Sequence, residues 1–187
     1  MQTLAHHRPF VLASICAMLL GATPVVAQTS SAPPLAGSAP SAAPDVEPPA
    51  GLMLVRRVQA GGEQLYACRP AVGGGFAWTL VGPKASLFND DGSDFGRHAA
   101  GPRWTATDGS SILADGVHPL AHVARSGSVP SLVLRVVSAT GTGVLAGVKT
   151  VTRSETAGGL APAEGCDAAH ENATVGERYT AVYAFYR

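Results

Sequence analysis

Several things are scarce in this sequence, and each scarcity removes a class of explanation. Charge of one sign is the first. Thirteen Lys and Arg stand against thirteen Asp and Glu, a formal net charge of zero. That balance offers no general electrostatic grip on nucleic acid or on anionic membranes. Helical periodicity is missing too: no window holds an apolar 3.6-residue period over three turns, which argues against a helix bundle. There is no internal repeat. No C-x-x-C or C-x-H spacing supports a metal-thiolate site. No G-x-S-x-G elbow surrounds Ser110 or Ser111, and no G-x-G-x-x-G follows a strand. The glycine run at 72–76 (VGGGF) has neither the Lys nor the helix start of a phosphate loop. Nothing in this survey implies a cofactor.

What is present begins with an export pattern. Arg8, with His6 and His7, precedes an apolar run at 10–22, and Val25-Val26-Ala27 is a small-residue cleavage signature. Residues 1–27 therefore read as a signal peptide, with the mature chain starting at Gln28. Pro24 breaks the run before it is long enough for a membrane span, so no integral membrane association is expected after cleavage. Ile15 stands where a lipoprotein signal before Cys16 would need a small residue. Cleavage leaves a near-neutral chain with two cysteines, Cys68 and Cys166. In a secreted or periplasmic setting they read most simply as one disulfide. The loop it closes is close to a hundred residues, worth about 4–5 kcal/mol in the chain-entropy account.

Residues 28–50 are rich in Pro, Ala and Ser with almost no large apolar side chains, the composition of a disordered spacer. From 51 to 187 the texture is β. Short runs rich in Val, Leu, Thr and aromatics occupy 52–58, 63–69, 76–82, 131–139, 144–153 and 178–186. In the last, Tyr179, Ala181, Tyr183 and Phe185 would share one face. Gly61-Gly62, Asp91-Gly92, Asp108-Gly109 and Asp115-Gly116 supply turn signals between runs. The expectation is a single all-β domain, an antiparallel sandwich or a barrel-like sheet. The irregular segment 154–174 shows no structure of its own, and the disulfide would pin it.

Chemistry-bearing residues are few. His118 and His122 have the i, i+4 spacing of a helical metal pair, but Gly116 and Pro119 disfavour a helix. On an extended chain the rings would stand ~13 Å apart, too far to share a metal. The acidic run at 89–94 (NDDGSD) fits no calcium-loop register and reads as a hairpin turn. Asp94, Asp108 and Asp115 could supply paired carboxylates, as three aspartates in almost any chain could. Asn172-Ala173-Thr174 is a formal glycosylation acceptor.

The stretch at 96–104 (GRHAAGPRW) concentrates more. Pro102 holds Gly101 out of the α region, so the chain bends there, and Trp104 opens a strand carrying Ala106 and Asp108 on the same face. His98 sits at the bend, where an imidazole can bond backbone carbonyls freed by irregular geometry. The rival expectation is a metal or catalytic site around His98 and Asp108. Trp78 and Trp104 are candidate contact residues for a surface polymer or protein partner.

These residues also carry a resemblance. A GxHxxGPxW segment followed by DGS (108–110), an earlier YxC (66–68) and WxL (78–80), the later TAGGLAP…C (156–166) and the terminal YTAVYAFYR (179–187) stand in one order. Together they resemble the secreted family catalogued as domain of unknown function 3455, over about 51–187. The resemblance implies an exported, β-rich, single-domain protein without an assigned activity. It therefore transfers no catalytic residues. Ala99 stands where that family often has an aromatic residue. The reading that follows is an exported, non-catalytic β-domain, with His98, Trp104 and Asp108 as candidate functional residues.

Overall fold

The structure, a computed structural model, describes residues 46–187. The expected signal peptide and most of the expected spacer lie outside the described residues. Among the described residues nine strands follow in order: β1 (Leu54–Pro70), β2 (Phe76–Phe88), β3 (Asp94–Ala99), β4 (Arg103–Ala106), β5 (Ser111–Ala114), β6 (Ala121–Arg125), β7 (Ser128–Thr140), β8 (Thr150–Gly158) and β9 (Thr174–Tyr186). All belong to one antiparallel sheet, ordered β5-β4-β3-β2-β1-β9-β8-β7-β6. β5 also pairs with β7, from Ser111 opposite Thr140 to Ala114 opposite Val136, and this joins the two ends of the sheet. Between sandwich and barrel, the outcome is a closed barrel, in which β6 continues β5 along the same edge of β7. Closure removes the exposed edges that an open sheet of this size would have to protect.

The expected turn at Gly61-Gly62 does not form. β1 runs straight through both glycines, fusing the runs at 52–58 and 63–69 into one 17-residue strand. The reason is crowding rather than turning: a Cβ on Gly62 would strike the backbone of Lys84 and Ala85 on β2. Gly96 plays the same part on β3, where Thr105 and Ala106 leave no room for a side chain and φ is 151°. Small residues at such crossings let strands bend tightly enough to close.

Pleating then sets the interior. Val58, Leu87, Phe95, Trp104, Ile112, Val151, Tyr183 and Phe185 all point into one core. The expected inward face of β9 is buried at all four positions. The run at 144–153 is strand only from Thr150. Before it, residues 141–149 loop across one end of the barrel and insert Leu145 and Val148 into the core. The sequence signal there was apolar for packing, not for pairing.

Cys68 and Cys166 form the expected disulfide, spanning 98 residues. It holds the segment after β8 against β1, helped by Trp78 Nε1 donating to Glu164 O at 2.8 Å. That segment is less irregular than its composition suggests, since β8 continues to Gly158 and a short 3-10 turn spans Ala168–His170. Replacing the pair, Cys68→Ala with Cys166→Ala, is expected to lower unfolding free energy by about 4 kcal/mol. Urea denaturation of both proteins measures this, and a difference below about 1 kcal/mol would show that the staple does not constrain the unfolded chain.

A polar layer at the barrel mouth

The β3–β4 hairpin carries the stretch 96–104, and its register places His98 directly opposite Trp104. The Gly101–Pro102 peptide is cis and forms the hairpin's turn at one rim of the barrel. Because β3 and β4 turn their alternate residues inward, both rings enter the interior. His98 is 3% exposed and Trp104 fully buried. The imidazole stacks on the indole with centroids 4.3 Å apart and planes 11° from parallel. Tyr183 of β9 meets both edge-on, at 4.9 Å and 5.4 Å. Trp104 is thus a core residue rather than the surface contact expected of it.

His98 Nδ1 lies 2.9 Å from Arg103 O. A carbonyl can only accept, so Nδ1 carries the proton and Nε2 keeps a lone pair. Burial pulls the imidazole pKa down to about 3, against the bond to Arg103 O, which raises it, and with the Arg153 guanidinium, which lowers it further. His98 is a neutral ring at any pH near neutrality.

Around this stack lies a polar layer. Arg153 of β8 pairs across the sheet with Tyr183 and with Leu132, which puts its side chain on the inward face. Its Nε donates to Pro130 O at 2.9 Å. Gln64 of β1 is 2% exposed, and its Nε2 has no partner within the protein; the same is true of Trp104 Nε1 and the hydroxyls of Tyr179 and Tyr183. Burial raises the pKa of both tyrosines, with Arg153 opposing it, so each hydroxyl keeps its proton. Tyr66, also raised by burial, donates to Gly159 O at 2.6 Å. Gln64, His98, Trp104, Arg153 and Tyr183 line a cavity of about 380 Å³ that opens past Leu80, Val81 and Val117.

Asp108 is not part of this layer. β4 ends at Ala106, and a turn closed by Gly109 N to Ala106 O carries Asp108 into solvent at the opposite end of the strand. There its carboxylate accepts from Ser110 N, Ser110 Oγ and Val144 N, at 2.9, 2.6 and 2.7 Å. Those bonds, led by the Ser110 hydroxyl, hold its pKa below the usual carboxylate range. Asp108 latches the loop at 141–149, and the expected same-face alignment with Trp104 fails because the strand stops first.

The other singled-out residues have local partners. His118 Nδ1 lies 3.2 Å from Asp115 Oδ2 in an exposed turn, while His122 is on β6. Asp91 caps the turn at 89–93 through Ser93 N, as a hairpin reading of the acidic run requires. Asp94 pairs with Arg97 at 2.9 Å. Asn172 is exposed, and its Oδ1 accepts from Arg69. Among the described residues, no group of three His, Cys, Asp or Glu is placed to hold a metal ion.

Gln64 and Arg153 go unmarked in the sequence, and Tyr183 is marked only as one residue of a strand face, although a signal for Gln64 existed. Counting alternate residues inward from Val58 reaches Ala60, Gly62 and Gln64, but reading Gly61-Gly62 as a turn breaks that count.

A family model described as a protein of unknown function (DUF3455) matches residues 48–187. Its description assigns no activity. No curated protein and no solved structure matches the chain.

The depressed pKa of His98 makes stability pH-dependent in a fixed direction. The unfolded chain takes up a proton at the ordinary value of 6.5, the folded one only near 3. The contribution is complete above about pH 6.5 and is lost as pH falls, at up to about 1.4 kcal/mol per pH unit. By NMR the His98 ring signals should stay flat from pH 8 to pH 5 in the folded protein. A midpoint near 6.5 would contradict the buried neutral ring.

Proposed function

We propose that this chain, which belongs to the DUF3455 family of proteins of unknown function, is an exported binding protein rather than a catalyst, and that its ligand occupies the barrel mouth. The observation that carries this is the set of buried polar atoms left unpaired around one cavity: Gln64 Nε2, Trp104 Nε1 and the Tyr183 hydroxyl. A buried donor without a partner costs about 1–3 kcal/mol, and native proteins keep few of them. Three at one cavity call for a partner from outside the chain. A volume of about 380 Å³ falls in the range of small-molecule sites. Ordered water would fill it between ligands.

Binding fits these groups better than turnover. A general base for work near neutrality needs a pKa near the operating pH, and burial takes His98 far below that. The tyrosines, with pKa values raised, serve as donors and not as nucleophiles. Export is supported by the signal pattern at 1–27 and by the Cys68–Cys166 disulfide, a bond that persists in oxidising compartments. A secreted or periplasmic protein of this kind would receive a small molecule or the end of a surface polymer.

The two tryptophans give a direct test. Trp78 Nε1 is bonded to Glu164 O outside the cavity, while Trp104 Nε1 faces no partner. In a fragment screen followed by NMR, ligands should move the Trp104 indole signal and leave that of Trp78 in place. Hits that move only surface residues, with Trp104 unchanged, would sink the proposal.

A further inference from the structure

We infer that the ligand of the barrel mouth is a small organic anion, a carboxylate carried on an apolar body. This rests on the cavity being a binding site and adds the chemistry of what it takes.

The wall has spent its acceptors and kept its donors. Three backbone carbonyls at this end are occupied from within: Arg103 O by His98, Pro130 O by Arg153 and Gly159 O by Tyr66. The Gln64 amide, the Trp104 indole and the Tyr183 hydroxyl remain without partners, and all can donate. Arg153 adds a positive charge: its Nε donates to Pro130 O, and its guanidinium lies beside the Tyr183 hydroxyl at the cavity wall. Glu177 stands opposite Gln64 on β9 but is not among the residues that line the cavity. Among the side chains that line the cavity, the acceptors are the His98 Nε2 lone pair, the Gln64 oxygen and the Tyr183 hydroxyl oxygen.

Such a wall selects by charge and by hydrogen-bond polarity. A cation would face Arg153 without a compensating carboxylate. A neutral polyol would bring hydroxyl protons with few acceptors to meet them. A carboxylate brings acceptors only, and the guanidinium fork matches its two oxygens.

The apolar part of the ligand follows from the rest of the wall. Leu132 and Leu134 line the cavity, and Leu80, Val81 and Val117 stand at its opening 55%, 53% and 80% exposed. An inorganic anion would leave those side chains in water. An apolar body attached to the carboxylate would cover them.

Isothermal titration of the oxidised protein at pH 7, with benzoate and hexanoate against benzamide, hexanamide and inorganic phosphate, tests this, with the Trp104 indole signal reporting the place of binding. Both carboxylates should bind saturably at Trp104, at least tenfold more tightly than their amides and than phosphate. Arg153→Gln should remove that preference, bringing each carboxylate down to the affinity of its amide. Gln64→Leu should weaken carboxylates several-fold with Arg153 intact, and circular dichroism with an unchanged Trp78 signal shows that each variant is folded. Amides binding at Trp104 as tightly as acids, or a preference surviving Arg153→Gln, overturns the anion while the cavity remains a binding site. Phosphate binding as tightly as benzoate overturns the apolar body. If no probe moves Trp104, the anion inference fails, and only a fragment screen that also leaves Trp104 unmoved removes the binding site with it.

Discussion

The pairing of β5 with β7 turns a nine-stranded sheet into a barrel, and most other features depend on that closure. A closed sheet has one interior, and the pleat decides which residues enter it. With eight strands in the ring, that interior is narrow enough for side chains to fill, with room at most for one small ligand. At one end it is filled: Leu87, Phe95, Ile112, Leu145, Val148, Val151 and Phe185 make an apolar plug. Asp108 and Ser110 hold the loop that closes this end, by accepting from Val144 N and Leu145 N. At the other end the inward positions are Gln64, His98, Trp104, Arg153 and Tyr183, and the packing is incomplete.

On the proposed reading, the two ends divide the labour between stability and recognition. Burying polar side chains is costly unless they are paired, and the apolar end with the disulfide offsets that cost. His98 shows how the layer is held in place. Its Nδ1 ties to Arg103 O across the hairpin, its ring braces Trp104, and burial keeps it uncharged beside the Arg153 guanidinium. A protonated imidazole there would repel the guanidinium and give up the Nε2 lone pair. His98 is a positioning residue: it fixes the indole and the hairpin and leaves the charge to Arg153.

The class of fold was legible in the sequence, and so was the staple. Alternation in 178–186 gave the inward face of β9, and the two cysteines left outside the expected signal peptide gave the disulfide. The choice between sandwich and barrel was not legible, because it turns on a pairing between β5 and β7, which no local pattern records. Gly61-Gly62 misled for a physical reason: the residue that permits a turn is also the one that permits two strands to cross closely. The stretch 96–104 drew attention through its unusual residues, and two of them, His98 and Trp104, do stand at the cavity. Asp108 does not, since a strand four residues long ends before reaching it. Gln64 and Arg153 were hidden because a lone polar residue inside a strand reads as outward until the register is known.

The central claim is that the unpaired polar layer at the barrel mouth exists to hold a ligand. A high-resolution experimental structure of the oxidised protein, purified without refolding from the cells that make it, tests this most directly. The account predicts a bound molecule in the cavity within hydrogen-bonding distance of Gln64 Nε2, Trp104 Nε1 and the Arg153 guanidinium. A collapsed, dry mouth in which those groups satisfy one another would contradict it.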